Sequence, residues 1–196
     1  MKYLTILLVL LLAVSLAASG CTSTTADPAP TPGTATPTPT LTPKPTPTLK
    51  PDTATLGEKN AAAKALSYLR YSAFSREGLI DQLEFEGFSH TEAVYGADQS
   101  GADWYEQAAK KAEQYLKYSS FSRSGLIDQL EFEGFSHTEA VYGADQSGAD
   151  WYEQAAKKAE QYLKYSSFSR SGLIDQLEFE GFTRSQAEYG VKAVGY

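Results

Sequence analysis

The sequence predicts an all-α protein in which three tandem repeats, each of three short helices, follow a signal peptide and a proline-rich linker. The chain repeats with a period of 47 residues, and residues 78–135 and 125–182 are identical letter for letter. Within each period, apolar residues recur at helical spacing between residues that cap helices. All nine prolines lie before residue 52, outside the repeats. A fixed period of this size indicates a modular array of helix-turn-helix-like units.

The first helix of the middle repeat is predicted to begin after Asp103. Glu106 lies three residues further on, so the two side chains match a capping box at a helix start. Ala108, Ala112 and Leu116 then recur on one helical face. We therefore expect a helix that buries a single apolar stripe.

The second helix is predicted to begin after Ser122, a residue that caps helix starts well. Leu126 and Leu130 supply its buried face. Gly134 stands where a left-handed residue ends many helices, and Phe135 is placed to contact Leu130 across that turn. We expect this helix to end at Gly134.

The third helix follows at once, because Ser136 and Glu139 form another capping-box pair. Ala140 and Ala144 provide a short apolar face, and Gly148 closes the helix. The second and third helices, joined by a tight turn, have a helix-turn-helix shape.

The predicted boundaries follow from the period and from the composition. They are 1–20 for a lipoprotein signal peptide, 21–56 for a lipidated cysteine and linker, and 57–103, 104–150 and 151–196 for the repeats.

The N-terminal segment resembles the signal peptide of a bacterial lipoprotein. Lys2 precedes an apolar run over residues 4–12, and small residues lead to Cys21, the single cysteine of the chain. In the lipobox that this segment resembles, the cysteine thiol carries a diacylglycerol. Ala18 departs from the usual Leu, Val or Ile at that place. The alternative is a secreted protein with an incidental cysteine.

The linker over residues 22–56 is rich in proline and threonine. Such sequence favours extended polyproline II, which rises about 3.1 Å per residue. It would hold the repeats on the order of 100 Å from a membrane. A proline-rich ligand for an aromatic groove is the competing interpretation.

The charge of the repeats argues against nucleic acid as a partner. Two of the 24 acids and three of the 17 bases precede residue 57, which leaves 22 acids and 14 bases, a net of −8. Binding to duplex DNA depends on Lys and Arg that neutralise phosphates. The acidic repeats point to a basic protein partner instead.

The sequence predicts no enzyme, no cofactor and no metal site. His90 and His137 are the two histidines, and the third repeat has Arg184 at the same place. We interpret the histidines as solvated residues, since no nucleophile and base recur together. The stretch 98–103 lacks the alternating acids and final glutamate of a calcium loop.

The second helices carry the candidate partner-binding residues. We expect an exposed acid row, with Glu133 and its copies as the best positions for a Gln substitution. The candidate residues are Asp81, Glu84, Glu86, Asp128, Glu131, Glu133, Asp175, Glu178 and Glu180, followed in the first two repeats by Glu92 and Glu139.

Two interpretations of the aromatic residues remain open. Most are expected in the core, and a few are candidates for an exposed binding face. The set is Tyr115, Tyr118, Phe121, Phe132, Phe135, Tyr142 and Trp151.

The pattern SxSGLIxQLExEGFxxxxAxYG resembles the repeat of the Ltp-type host cell surface-exposed lipoproteins of Gram-positive bacteria and their phages. The resemblance covers all three repeats, together with the lipobox and the Thr/Pro spacer. It implies a membrane-anchored surface protein that blocks DNA injection by an incoming phage through contact with the tape-measure protein of the tail. A structural or adhesive module of the cell envelope is the alternative. The residues that carry the resemblance are Ser122, Gly125, Leu126, Ile127, Leu130, Glu131, Gly134, Phe135, Ala140 and Tyr142.

Overall fold

The computed structural model describes residues 54–196, which fold into nine α-helices with no strand among them. The predicted all-α class and the three tandem repeats are confirmed. The helices are α1 (Leu56–Tyr71), α2 (Arg76–Phe85), α3 (His90–Gln99), α4 (Trp104–Tyr118), α5 (Arg123–Phe132), α6 (His137–Gln146), α7 (Trp151–Tyr165), α8 (Arg170–Phe179) and α9 (Arg184–Ala193).

The helix starts follow the capping residues that the sequence contains. Ser136 accepts a hydrogen bond from the Glu139 amide, and the Glu139 carboxylate accepts one from the Ser136 amide at 2.8 Å. Asp103 accepts from the amides of Tyr105 and Glu106, so it caps α4 as predicted. The carboxylate of Glu106 pairs with Lys110 at 3.9 Å, which differs from the reciprocal bond of a full capping box. Local side-chain hydrogen bonds therefore set these boundaries.

The turn after each second helix has the predicted left-handed glycine. Gly134 has φ of 87°, a region that favours glycine. Its amide donates to the Glu131 carbonyl at 2.9 Å, and the Phe135 amide donates to the Leu130 carbonyl at 3.1 Å. These two bonds form a Schellman motif, which redirects the chain into α6.

Each repeat has its own apolar core. In the middle repeat, Leu126, Leu130 and Phe135 are buried together with alanines of α4 and α6. The first and third helices pack most closely, since a Cβ added to Gly143 of α6 would lie 2.7 Å from the Ala108 carbonyl carbon. Equivalent clusters fill the first and third repeats, and the tryptophan that begins the next repeat, Trp104 or Trp151, packs against the core before it.

Neighbouring repeats dock through hydrogen bonds, a lysine–ring contact and a tryptophan that packs on the preceding core. The Ser75 hydroxyl donates to the Glu133 carbonyl at 2.5 Å and accepts from the Gly78 amide. Lys111 lies 5.9 Å from the centre of the Phe74 ring, across the same junction. The second junction repeats the first, because Ser122 donates to the Glu180 carbonyl at 2.5 Å.

Several predicted features lie outside the described residues. These are the signal peptide 1–20, the lipidation site Cys21 and the linker up to residue 53. Thr55 forms a capping box with Glu58, so α1 starts at Leu56, at the end of the linker stretch. Within residues 54–196, none of the helices has the length and apolarity needed to cross a membrane.

Candidate partner-binding surface

The outer face of each second helix carries two acids and one phenyl ring. On α5, Asp128 and Glu131 are exposed, and Phe132 is 71% exposed. Their spacing of three and four residues places them side by side on the helix. We call each such set an acid–aromatic patch. The other two patches are Asp81, Glu84 and Phe85 on α2, and Asp175, Glu178 and Phe179 on α8.

A cationic or ionisable side chain of the third helix contacts one acid of the first two patches and both acids of the third. Nδ1 of His137 lies 2.5 Å from Oε1 of Glu131, and His90 contacts Glu84 in the same way at 2.6 Å. Both histidines are exposed, as predicted. In the third repeat, Arg184 takes this place and pairs with Glu178 at 2.9 Å and with Asp175 at 4.0 Å. The glutamate of each patch is therefore held between the second and third helices of its repeat.

Glu133, by contrast, is bound into the structure. It accepts a hydrogen bond from the Tyr115 hydroxyl and pairs with Lys111 at 2.9 Å. Its side chain is only 26% exposed, and Gln129 donates to the same Tyr115 oxygen at 3.2 Å. Glu133 is therefore half-buried and paired, whereas an exposed acid was expected at this position, and its part in partner binding stays a prediction.

The copies of Glu133 have the same partners. Glu86 accepts from Tyr68 and pairs with Lys64 at 3.0 Å. Glu180 accepts from Tyr162 and pairs with Lys158 at 3.1 Å. These acids hold the end of each second helix against its first helix, so a Gln substitution there alters structure as well as charge.

The electrostatics of these groups agree with their contacts. Burial, followed by the hydrogen bond to the Glu133 carboxylate, raises the pKa of the Tyr115 phenol. The pKa of Tyr162 is raised by burial and then by Glu180. The Tyr68 hydroxyl, followed by Lys64, lowers the pKa of the Glu86 carboxyl. At neutral pH these tyrosines stay protonated and able to donate.

Glu92 and Glu139, at the far end of the predicted row, act as capping residues. Glu139 accepts from the Ser136 amide at 2.8 Å, and Glu92 accepts from the Ser89 amide at 2.9 Å. The hydrogen bonds from the Ser89 amide and hydroxyl lower the pKa of the Glu92 carboxyl. Substitution of either acid weakens a helix start.

The exposed phenyl rings were left undecided by the sequence. Phe132 and Phe135 are only three residues apart, yet Phe135 is 3% exposed and Phe132 is largely in solvent. A signal was present: Phe132 is two residues from the buried Leu130, which on a helix points to nearly the opposite side. The exposed ring lies on the same face as the acids and is the aromatic candidate for a binding face.

The described residues hold no group of three or more His, Cys, Asp or Glu side chains able to bind a metal ion together. The patches offer contact by charge and by aromatic surface. Carboxylates attract Lys and Arg, and an exposed ring accepts their cationic groups over its face.

The family of the chain is shown by three consecutive matches. The family model described as host cell surface-exposed lipoprotein matches residues 57–99, 103–146 and 150–194. The chain belongs to this family, which confirms the resemblance drawn from the repeat pattern. No significant match was found among curated proteins or among solved structures. The family description supports a lipoprotein exposed at the cell surface.

Proposed function

We propose that the chain is a lipid-anchored surface protein whose repeats bind a basic segment of a phage tail protein and thereby block DNA injection. The tape-measure protein of an incoming phage is the proposed partner. The observation that carries this proposal is the acid–aromatic patch, which recurs at the same helical positions in all three repeats.

The patch suits a basic polypeptide better than other partners. Asp128 is exposed beside Phe132, so a Lys or Arg side chain meets a carboxylate and a ring face at one place. The net charge of −8 from residue 57 onward attracts a cationic segment and repels nucleic acid. Exposed charges are screened over about 8 Å at physiological ionic strength, so binding weakens as salt is added.

Repetition compensates for the weakness of a single patch. When one segment has bound one repeat, the next patch is encountered at a high effective concentration. Three weak sites then hold a long partner more firmly than any one of them. A tail protein with several basic segments fits such an array.

Anchoring at Cys21 places the patches where injection begins. A diacylglycerol on the cysteine supplies two buried acyl chains, which hold a protein at a membrane far more firmly than one. Replacement of Cys21 by Ala is expected to release the protein from the membrane.

The test is expression of the full chain in a phage-sensitive strain, with adsorption and DNA injection measured separately. The expected result is unchanged adsorption and reduced injection. Unchanged injection across a broad panel of phages would contradict the proposal. That outcome would leave an adhesive role, with a cell-wall polymer as ligand, as the alternative.

A further inference from the structure

Each junction pairs a donor half on one repeat with an acceptor half on the next repeat. Within the described array, the acceptor half of the first repeat and the donor half of the third repeat are therefore unpaired. The donor half contains Ser75 at the first junction and Ser122 at the second, which are 2% and 1% exposed. The same position in the third repeat is Ser169, which is exposed. Ser169 caps α8 through the Gly172 amide, as its copies cap their helices, but within the described residues its hydroxyl forms no hydrogen bond to another repeat.

The acceptor half shows the reverse pattern. Gln107 and Gln154 are buried at the junctions, while the equivalent Asn60 of the first repeat is exposed. The side chain of Lys111 is 17% exposed, and that of Lys64 is 41% exposed. The first repeat thus presents the face that its neighbours bury.

The two unpaired halves contain the groups that make the junction. At the second junction, Ser122 donates to the Glu180 carbonyl and Ser124 donates to the Gly181 carbonyl at 3.1 Å. The counterparts on the third repeat are Ser169 and Ser171, and those on the first are the carbonyls of Glu86 and Gly87. We propose that a second copy of this chain docks head to tail, with Ser169 of one copy donating to the Glu86 carbonyl of the next.

Local sequence differences at the two ends are compatible with this docking. Trp104 packs against the core of the first repeat, on the cluster that Phe74 joins. The Tyr196 hydroxyl donates to the carbonyl of Phe168, the counterpart of Phe74, at 2.5 Å. The first repeat of the docking copy has Gly57 at the position of Trp104. It therefore places no indole at the edge that Tyr196 occupies.

The symmetry of the contact determines the form of the assembly. Donor and acceptor halves lie on different repeats, so the contact is heterologous and each docked copy exposes a new donor half. The product is a row of copies rather than a closed pair. The contact between copies lacks the tryptophan of the junctions within the chain, so its affinity in solution is low, and anchoring in one membrane raises the local concentration.

The test is sedimentation velocity of residues 21–196 with Cys21→Ser, at concentrations up to about 1 mM, where weak contacts become measurable. The parent is expected to show a sedimentation coefficient that rises with concentration. Ser169→Asp keeps an oxygen that caps α8 but loses the donor and adds a charge beside a carbonyl. It should weaken self-association by roughly tenfold or more.

The matched control is Ser185→Asp, which adds the same charge to an exposed position near the start of α9. It should associate like the parent. A parent that stays monomeric throughout, a Ser169→Asp variant that associates like the parent, or equal loss in the control would each overturn the proposal.

Cysteine cross-linking tests the head-to-tail direction. A Cβ built on Gly181 lies 3.4 Å from the Ser124 Cβ, close to the spacing that a disulfide bridges. A mixture of Ser171→Cys and Gly87→Cys variants should therefore form a mixed disulfide, and neither variant alone should link to itself. Because Gly87 has φ of 95°, that substitution is strained, and the Ser169→Asp comparison does not depend on it. Equal linking within one variant alone would contradict a head-to-tail contact.

Discussion

The hydroxyl of Ser75 donates to the main-chain carbonyl of Glu133, 58 residues further along the chain. The same oxygen accepts from the Gly78 amide and so caps α2. One side chain therefore both starts a helix and joins two repeats. Ser122 does the same toward Glu180 at the next junction, which couples local helix formation to the assembly of the array.

Ser122→Ala should destabilise the protein more than Ser169→Ala does. Both substitutions remove a helix cap, which is worth about 1 kcal/mol. Only Ser122→Ala also removes a hydrogen bond between repeats, worth about another 1 kcal/mol. Urea unfolding of the two variants should give losses of about 2 and about 1 kcal/mol.

These two serines are matched, since they occupy the same position in repeats of the same local structure. Equal losses for both variants would show that the contact between repeats adds nothing to stability.

Gly143→Ala should destabilise the middle repeat, although alanine forms helices better than glycine by about 1 kcal/mol. The added Cβ would lie 2.7 Å from the Ala108 carbonyl carbon, which is backbone and cannot move aside. Overpacking of this kind typically costs about 1–3 kcal/mol. A lower melting temperature in a thermal unfolding scan is expected, and a higher one would show that α4 and α6 are not in close contact.

Glu133→Gln should lower stability while Asp128→Asn leaves it nearly unchanged. The first substitution removes the charge that pairs with Lys111, a side chain that is only 17% exposed. We expect a loss of about 1–2 kcal/mol, because a partly buried cation loses its partner. Asp128 is exposed, so its change should stay within about 0.5 kcal/mol.

Denaturant unfolding of the two variants side by side is the measurement. If Glu133→Gln is as stable as Asp128→Asn, the hydrogen bond and ion pair at Glu133 contribute no stability.

The stability of the protein should fall in alkali. The folded pKa of Tyr115 and Tyr162 is raised above the unfolded value of about 10. In that range the folded state holds protons that the unfolded state has lost, so the free energy of unfolding decreases as pH rises. The contribution is fully present below pH of about 10 and is lost above it.

Phenolate absorbance and unfolding free energy, measured together across this range, test the effect. Tyr115→Phe with Tyr162→Phe should flatten the pH dependence. The same slope in parent and double variant would contradict the assignment.

The sequence predicted local structure well, because its signals are local. Ser136 with Glu139, and Gly134 with Phe135, act within a few residues, and the structure confirms each of them. The junction was not predictable in the same way, since Ser75 and Glu133 are far apart in the chain and no pattern pairs them. The sequence also did not show that Glu133 is bound by Tyr115 and Lys111.

For the candidate surface too, the sequence predicted positions along a helix but not contacts between helices. Spacing placed the acids on the second helices, but it did not separate Asp128, which is free for a partner, from Glu133, which is held by Tyr115 and Lys111. That distinction depends on which side chains of the first helix lie opposite, and this is decided by packing between helices. Phe132 was left undecided although its spacing from Leu130 already placed it on the opposite side of the helix.

The most direct measurement is phage DNA injection into cells that display equal amounts of three forms of the protein. The first is the parent, and the second removes one patch acid per repeat by Asp81→Asn, Asp128→Asn and Asp175→Asn. The third removes three acids from the first helices by Glu106→Gln, Glu113→Gln and Glu160→Gln, as the control for charge alone. The parent and the control should block injection, and the patch variant should admit DNA like cells without the protein. A patch variant that blocks injection as well as the parent would contradict binding through the acid–aromatic patches.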